Sequence, residues 1–317
     1  MRKVRIGTVA RVKHIQPIPR KAYIEECIRQ TVEAGERGCD IVCFPEWFDI
    51  YGSCEEQEAL ARSQTDPFAI RAFYAEFAES IPGSLTNSFA KYAREYNMYI
   101  ILSMLERDGD GLFNTAAIID RDGEIVGKYR KTHLFPSENR DFGISFGNEV
   151  EPFSLDFGKI GIIICMDIYF PELIRVLTLK GAEIVFLPSQ SYGPTETTLE
   201  IQARSRALDY NAYFVVSTIA SEDYYAPYAE GHSHTGRSYV INPDGITLCD
   251  TGHYAGLAVC DIDLDCKRLG SGIVQLRKNK PDIIRDDLLM MRRPELYGAV
   301  VQPADNEKYL SGQYIEE

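Results

Sequence analysis

Short apolar runs recur along this chain, and segments with helical spacing separate them. The runs are Val4 to Val9, Asp40 to Phe44, Lys159 to Ile164, Glu183 to Leu187 and Ala212 to Thr218. Asp40-Ile41-Val42-Cys43-Phe44 has none of the alternation of a half-solvated strand, so it reads as buried on both faces. Between the first two runs, Tyr23, Cys27, Ile28, Thr31 and Val32 fall on one helical face. Ser84 is placed to cap a helix carrying Leu85, Phe89, Ala93 and Tyr96. Pro171 opens a third helix, to about Lys180, and Glu196 to Tyr210 reads as a fourth. Tyr99 to Leu105, Thr115 to Ile119 and Glu124 to Tyr129 read as strands, the last two joined at Asp122-Gly123. A second hairpin turns at Pro243-Asp244-Gly245, and the strand Gly256 to Ile262 follows. This succession predicts a layered α/β domain with mixed sheets. No Gly/Ser/Pro-rich linker divides it, so residues 1–270 are taken as one domain and 271–317 as a C-terminal extension. The apolar cluster from Ile283 to Met291, set in a charged tail, makes that extension an expected oligomerisation arm.

The net charge of −13 argues against a nucleic-acid partner, which needs a basic surface. No apolar run approaches the ~20 residues that span a bilayer, so no membrane partner is expected. Eight scattered cysteines in a chain of 317 residues do not resemble the disulfide framework of a small secreted domain. The basic N-terminus runs directly into a strand. The expected location is the reducing cytoplasm.

Chemistry in α/β folds gathers where strands end, and three polar residues stand at such places. Glu46 follows the strand ending at Phe44. Lys131 leaves the first hairpin. Cys165 closes the run Gly161-Ile162-Ile163-Ile164, just before the helix at Pro171. Singly, each has a plain explanation: a surface carboxylate, a solvated lysine, an inert buried thiol. Together they make a chemical set. A cysteine on a strand-to-helix turn is exposed for attack. A nearby ammonium can lower its pKa and stabilise an oxyanion, and a carboxylate can take the thiol proton and return it to a leaving amine. That combination points to acyl transfer through a thioester.

Phe44-Pro45-Glu46, Tyr129-Arg130-Lys131-Thr132-His133-Leu134-Phe135 and Cys165-Met166-Asp167 with Phe170-Pro171-Glu172 resemble the three signature regions of the nitrilase superfamily of carbon–nitrogen hydrolases. The order also matches, with 85 residues from Glu46 to Lys131 and 34 from Lys131 to Cys165. The resemblance covers roughly residues 4 to 265. It implies a four-layer αββα sandwich, a Glu46–Lys131–Cys165 triad, no metal, no organic cofactor, and homodimers or higher homo-oligomers. It assigns Glu46 as general base, Lys131 as oxyanion stabiliser and Cys165 as nucleophile. It also implies a second glutamate near the substrate nitrogen, for which Glu138 is the best match and Glu149 and Glu151 are rivals.

Met166, His133 and Tyr192 are expected at the substrate, although His133 has an equally good structural reading. Tyr224 to Tyr228 could wall the site or simply pack as a loop. Asp167 is expected to anchor the turn through backbone amides. His232 and His234 lack a fixed third ligand, so no metal is assigned to them. Met166-Asp167 after the cysteine resembles the amidase and carbamoylase branches, whereas nitrile-hydrolysing relatives usually carry Trp-Glu there. The expected substrate is therefore a small-molecule amide or, second, an N-carbamoyl amine. A catalytically silent scaffold stays open as the non-enzymatic alternative.

Overall fold

The computed structural model describes residues 1–190, 195–222, 236–265 and 292–302. Tyr192, Tyr224 to Tyr228, His232, His234 and the apolar cluster Ile283 to Met291 lie outside the described residues. The first sheet is built from β1 (Lys3–Lys13), β2 (Ile41–Cys43), β3 (Tyr99–Asp108), β4 (Gly111–Ile119) and β5 (Ile125–Arg130), in that spatial order. β1, β2 and β3 run parallel, and β3–β4–β5 is an antiparallel meander. The second sheet comprises β6 (Phe153–Ser154), β7 (Lys159–Ile162), β8 (Ile184–Pro188), β9 (Tyr213–Ser217), β11 (Tyr239–Ile241) and β12 (Thr247–Asp250), with β7, β8 and β9 parallel. β10 (Ile219–Ser221) continues β9 past Thr218 and joins β1 in the first sheet, while β13 (Gly256–Asp263) pairs antiparallel with β1.

The unalternating strands are explained by what covers each face. Ile41 and Cys43 point into the core between the sheets, where they meet Ile160, Ile162, Ile184, Phe186 and Val215. Val42 and Phe44 point the other way, onto α1 (Arg20–Glu36) and α4 (Ser84–Tyr96). In the second sheet, Ile163, Val185, Leu187 and Phe214 face α6 (Pro171–Leu179) and α7 (Thr195–Tyr210). Helices, sheet, sheet and helices therefore stack as four layers, and the central strands β2, β8 and β9 are apolar on both faces because each face is covered. The α4 boundary departs from expectation. Ser84 is the first helical residue and Gly83 the cap; the Thr86 hydroxyl accepts the Gly83 N–H at 2.9 Å.

Two helices not expected from the sequence, α2 (Cys54–Ser63) and α3 (Ala69–Phe77), cover the segment after Glu46. The Ser53 hydroxyl caps α2 by accepting the Glu56 N–H at 3.1 Å. The Glu56 carboxylate reaches back to the Gly52 N–H at 2.6 Å and accepts Tyr74 OH at 3.0 Å. A Ser-x-x-Glu spacing was thus the available signal. Between them, α2 and α3 bury Trp47, Ile50, Phe73 and Tyr74 in one cluster. A five-residue helix, α5 (Pro136–Arg140), follows β5. Among the described residues, no helix is long and apolar enough to cross a membrane.

The meander is clamped beside the future site. Glu106, on β3, is buried and accepts hydrogen bonds from Arg130 at 2.7 and 2.8 Å, from Thr115 at 2.7 Å and from Lys128. Burial raises its pKa, but Arg130, Lys128 and Thr115 outweigh that and hold it at about 2. A carboxyl depressed from an ordinary 4.5 contributes stability that is complete above pH 4.5 and is lost as pH falls towards about 2. Glu106→Gln should cost about 3–5 kcal/mol at neutral pH, the scale for breaking a buried pair. Its urea-unfolding free energy should also vary less steeply over that acid window. A variant with the wild-type slope would show that Glu106 does not carry the effect.

Candidate active site

Each sequence-predicted strand-end residue sits where two layers meet. Glu46 follows β2, and Trp47 after it takes a left-handed backbone (φ 47°) that turns the chain away from the strand. Lys131 follows β5, with its N–H donated to Asn114 O at 2.8 Å and its carbonyl accepting Gly147 N–H at 2.8 Å. A Cβ at Gly147 would lie 2.1 Å from Arg130 O, so only glycine permits that approach. Cys165 begins a short 3₁₀ turn, Cys165–Tyr169, and is itself left-handed (φ 45°). A non-glycine residue held there is a cost that folds commonly carry at functional sites.

Glu46, Lys131 and Glu138 are buried together. Lys131 Nζ lies 2.8 Å from Glu46 Oε1 and 2.7 Å from Glu138 Oε2. The Phe135 N–H donates to Glu138 Oε2 at 2.7 Å, and the Gln190 N–H to Glu46 Oε2 at 3.2 Å. Glu149 and Glu151 are exposed, so of the three candidate second glutamates Glu138 is the one brought to Lys131.

Asp167 ties the cysteine turn to the lysine segment. Its Oδ2 accepts Ile164 N–H at 2.8 Å and Tyr129 OH at 2.7 Å. Its Oδ1 accepts His133 N–H at 3.0 Å and Thr132 OH at 3.1 Å, and lies 2.9 Å from His133 Nδ1. Asp167 is thus the expected turn anchor, and it reaches a second segment as well. His133 stacks on Phe170 with centroids 3.8 Å apart, so its described contacts brace the turn. Met166 is half-buried beside Cys165.

The electrostatics correct one expectation. Lys131 was expected to draw the thiol pKa down. Burial raises it, the Glu46 charge raises it further, and together these exceed the opposing pull of Lys131 and the Ser189 hydrogen bond, leaving it at about 12. With burial and Glu46 pushing the thiol up, a neighbouring base is needed to take its proton during attack. Burial lowers the Lys131 pKa, but Glu138 and Glu46 outweigh it and hold the ammonium well above its ordinary value. Glu138 is raised, first by burial and then by Glu46, against the pull of Lys131. Among the described residues no cluster of three or more His, Cys, Asp or Glu side chains could hold a metal.

Sequence reasoning missed Asn114, Ser189 and Gln190. Asn114 had a signal: it is an amide inside the apolar stretch of β4, and a buried amide needs partners. Ser189 and Gln190 had one too, since they end the buried parallel run of β8 as Glu46 ends that of β2.

This fold and site define a class. A carbon–nitrogen hydrolase family model matches residues 13–269, and the chain belongs to that family, within the nitrilase superfamily. The protein is a carbon–nitrogen hydrolase. Human omega-amidase NIT2 is 30% identical over 243 residues, covering 73% of this chain and 79% of that protein. A Pyrococcus abyssi nitrilase is 31% identical over 273 residues, with 84% and 88% covered. Arabidopsis thaliana beta-ureidopropionase is 30% identical over 298 residues, with 84% and 69% covered. The crystal structure of a Helicobacter pylori carbon–nitrogen hydrolase superposes with a TM-score of 0.72 at 21% identity, covering 95% of this chain and 99% of that one.

Proposed function

We propose that the protein hydrolyses the C–N bond of a small linear amide and releases ammonia, through a thioester on Cys165. The observation that carries this reading is the buried ammonium of Lys131 held between Glu46 and Glu138 at 2.8 and 2.7 Å, with Cys165 feeling all three charges. Glu46 takes the thiol proton as sulfur attacks the carbonyl carbon. An ammonium has three N–H donors; two are engaged by the carboxylates, and the third is left for the oxyanion, with the Met166 N–H as its partner donor. The proton returns to the nitrogen beside Glu138, the C–N bond breaks, and ammonia leaves. Glu46 then takes a proton from water, hydroxide adds to the thioester, the carboxylic acid departs and the thiol is restored. Met166, next to the nucleophile, would line the substrate end.

The amide leads because Met166-Asp167 follows the cysteine and an omega-amidase is among the relatives. The beta-ureidopropionase likeness keeps an N-carbamoyl amine as the second reading. Ammonia release from matched amides, carbamoyl amines and nitriles should rank amides first. The rate should survive EDTA. A nitrile hydrolysed faster than its amide would sink the substrate assignment, and metal-restored activity would revive His232 and His234. No turnover across the panel would favour a silent scaffold. We further propose a cytoplasmic homodimer or larger assembly, which light scattering would contradict by finding a single 35.8 kDa chain.

A further inference from the structure

Asn114 is fully buried on β4, and one of its atoms serves both carboxylates. Nδ2 lies 2.7 Å from Glu46 Oε1 and 2.8 Å from Glu138 Oε1. An amide nitrogen has two hydrogens, so each glutamate receives one. Two carboxylate acceptors demand that the nitrogen, not the oxygen, face them. Oδ1 is consequently buried with no hydrogen-bond partner among the described residues. A buried orphan acceptor costs free energy, so this orientation persists because the two donated bonds offset that cost. The main chain of the same residue accepts the Lys131 N–H at 2.8 Å, linking it to all three charged members of the cluster.

We propose that Asn114 is a positioning residue for the hydrolytic reaction, fixing Glu46 and Glu138 on either side of Lys131 through one N–H each. The inference rests on the reading of Glu46 as base. The cluster holds two carboxylates against one ammonium, so one negative charge has no cation of its own. A second cation beside it would neutralise the base. A neutral N–H stabilises the anion without adding charge. The placement also selects the reacting oxygen. Glu46 Oε1 is taken by Lys131 and Asn114, whereas Oε2 has the 3.2 Å contact from Gln190 N–H. Oε2 is thus the oxygen freer to accept the thiol proton. Among the described residues, the ionisable groups facing the pair are Lys131 after β5 and the Cys165 thiol after β7; the end of β8 brings the uncharged Ser189 and Gln190.

Removing the donor should let Glu138 take up a proton at higher pH, since the Asn114 hydrogen bond opposes its upward shift. The test compares the wild-type full chain with Asn114→Leu and Asn114→Ser, after circular dichroism and melting confirm folding. Two readouts are taken across the acid and neutral range: kcat and KM on the preferred amide, and the rate of iodoacetamide alkylation at Cys165, followed by mass spectrometry. In Asn114→Leu the acid limb of both profiles should move to higher pH, because a hydrogen bond that favours the carboxylate is lost. Its kcat should fall by about 100-fold while KM changes little. Asn114→Ser, with one donor, should lie between. If the leucine variant does not fold, the serine variant decides. A folded variant with an unmoved acid limb and normal kcat overturns the Asn114 assignment alone. A wild type inert to every panel substrate, and unalkylated at Cys165, overturns the hydrolytic reading and this one with it.

Discussion

Cys165→Ala should abolish ammonia release, by a factor on the order of 10⁴ or more, the scale of losing a covalent nucleophile. The fold should survive. Alanine carries the same Cβ into the left-handed conformation at φ 45°, so no new backbone strain enters. Only one sulfur atom leaves, which should cost no more than about 1–2 kcal/mol. The turn itself is held by Asp167, whose contacts with Ile164, Tyr129, Thr132 and His133 do not involve the thiol. Iodoacetamide should inactivate the wild type in step with modification of Cys165, even though half-buried Cys54 and Cys249 also react. Because the thiol sits at about 12, its alkylation should depend on Glu46 as proton acceptor and slow sharply in Glu46→Gln. Turnover by the alanine variant within tenfold of wild type would end the thioester mechanism.

Lys131→Arg should lose at least ~100-fold in kcat, the scale of removing an oxyanion donor, although it keeps the charge. The reason is geometric. Nζ is a compact donor seated between Glu46 Oε1 and Glu138 Oε2 in a site where Lys131 is almost wholly buried. A planar guanidinium is wider, pairs side-on with one carboxylate and takes its remaining donors elsewhere. Glu46→Gln should be similarly damaging, because an amide cannot accept the proton of a thiol held at about 12. Single-turnover acylation monitored by mass spectrometry separates the two: the Lys131 variant should acylate slowly, and the Glu46 variant should also fail to release whatever acyl group it gains. Near-normal kinetics in either variant would remove that residue from the mechanism.

The elements that periodicity and strand-end residues specify were legible in the chain itself. β2, β7, β8 and β9 announced themselves as apolar runs, because both faces of each strand are covered by a sheet on one side and helices on the other. Glu46, Lys131 and Cys165 stood out because a polar residue ending such a run is a local pattern. α2 and α3 were not read, since their signals are a short cap and a mixed face that gain meaning only against Trp47 and Ile50.

The choice of Glu138 over Glu149 and Glu151 also had to wait for the structure. All three lie within 20 residues of Lys131, yet only the short helix α5, opened at Phe135, brings a glutamate, Glu138, to Nζ. Asn114 is 68 residues from Glu46, and no spacing rule links a strand amide to a carboxylate that far away. Lys131 pulls the thiol pKa down as its charge implies, but burial and Glu46, which the sequence does not show, outweigh it. Residue types, order and spacing determined which chemistry this chain can attempt, because those depend on neighbours along the chain. The tertiary structure decided which groups share one buried site and how their charges act on one another, because burial and Coulomb interactions depend on distance through space.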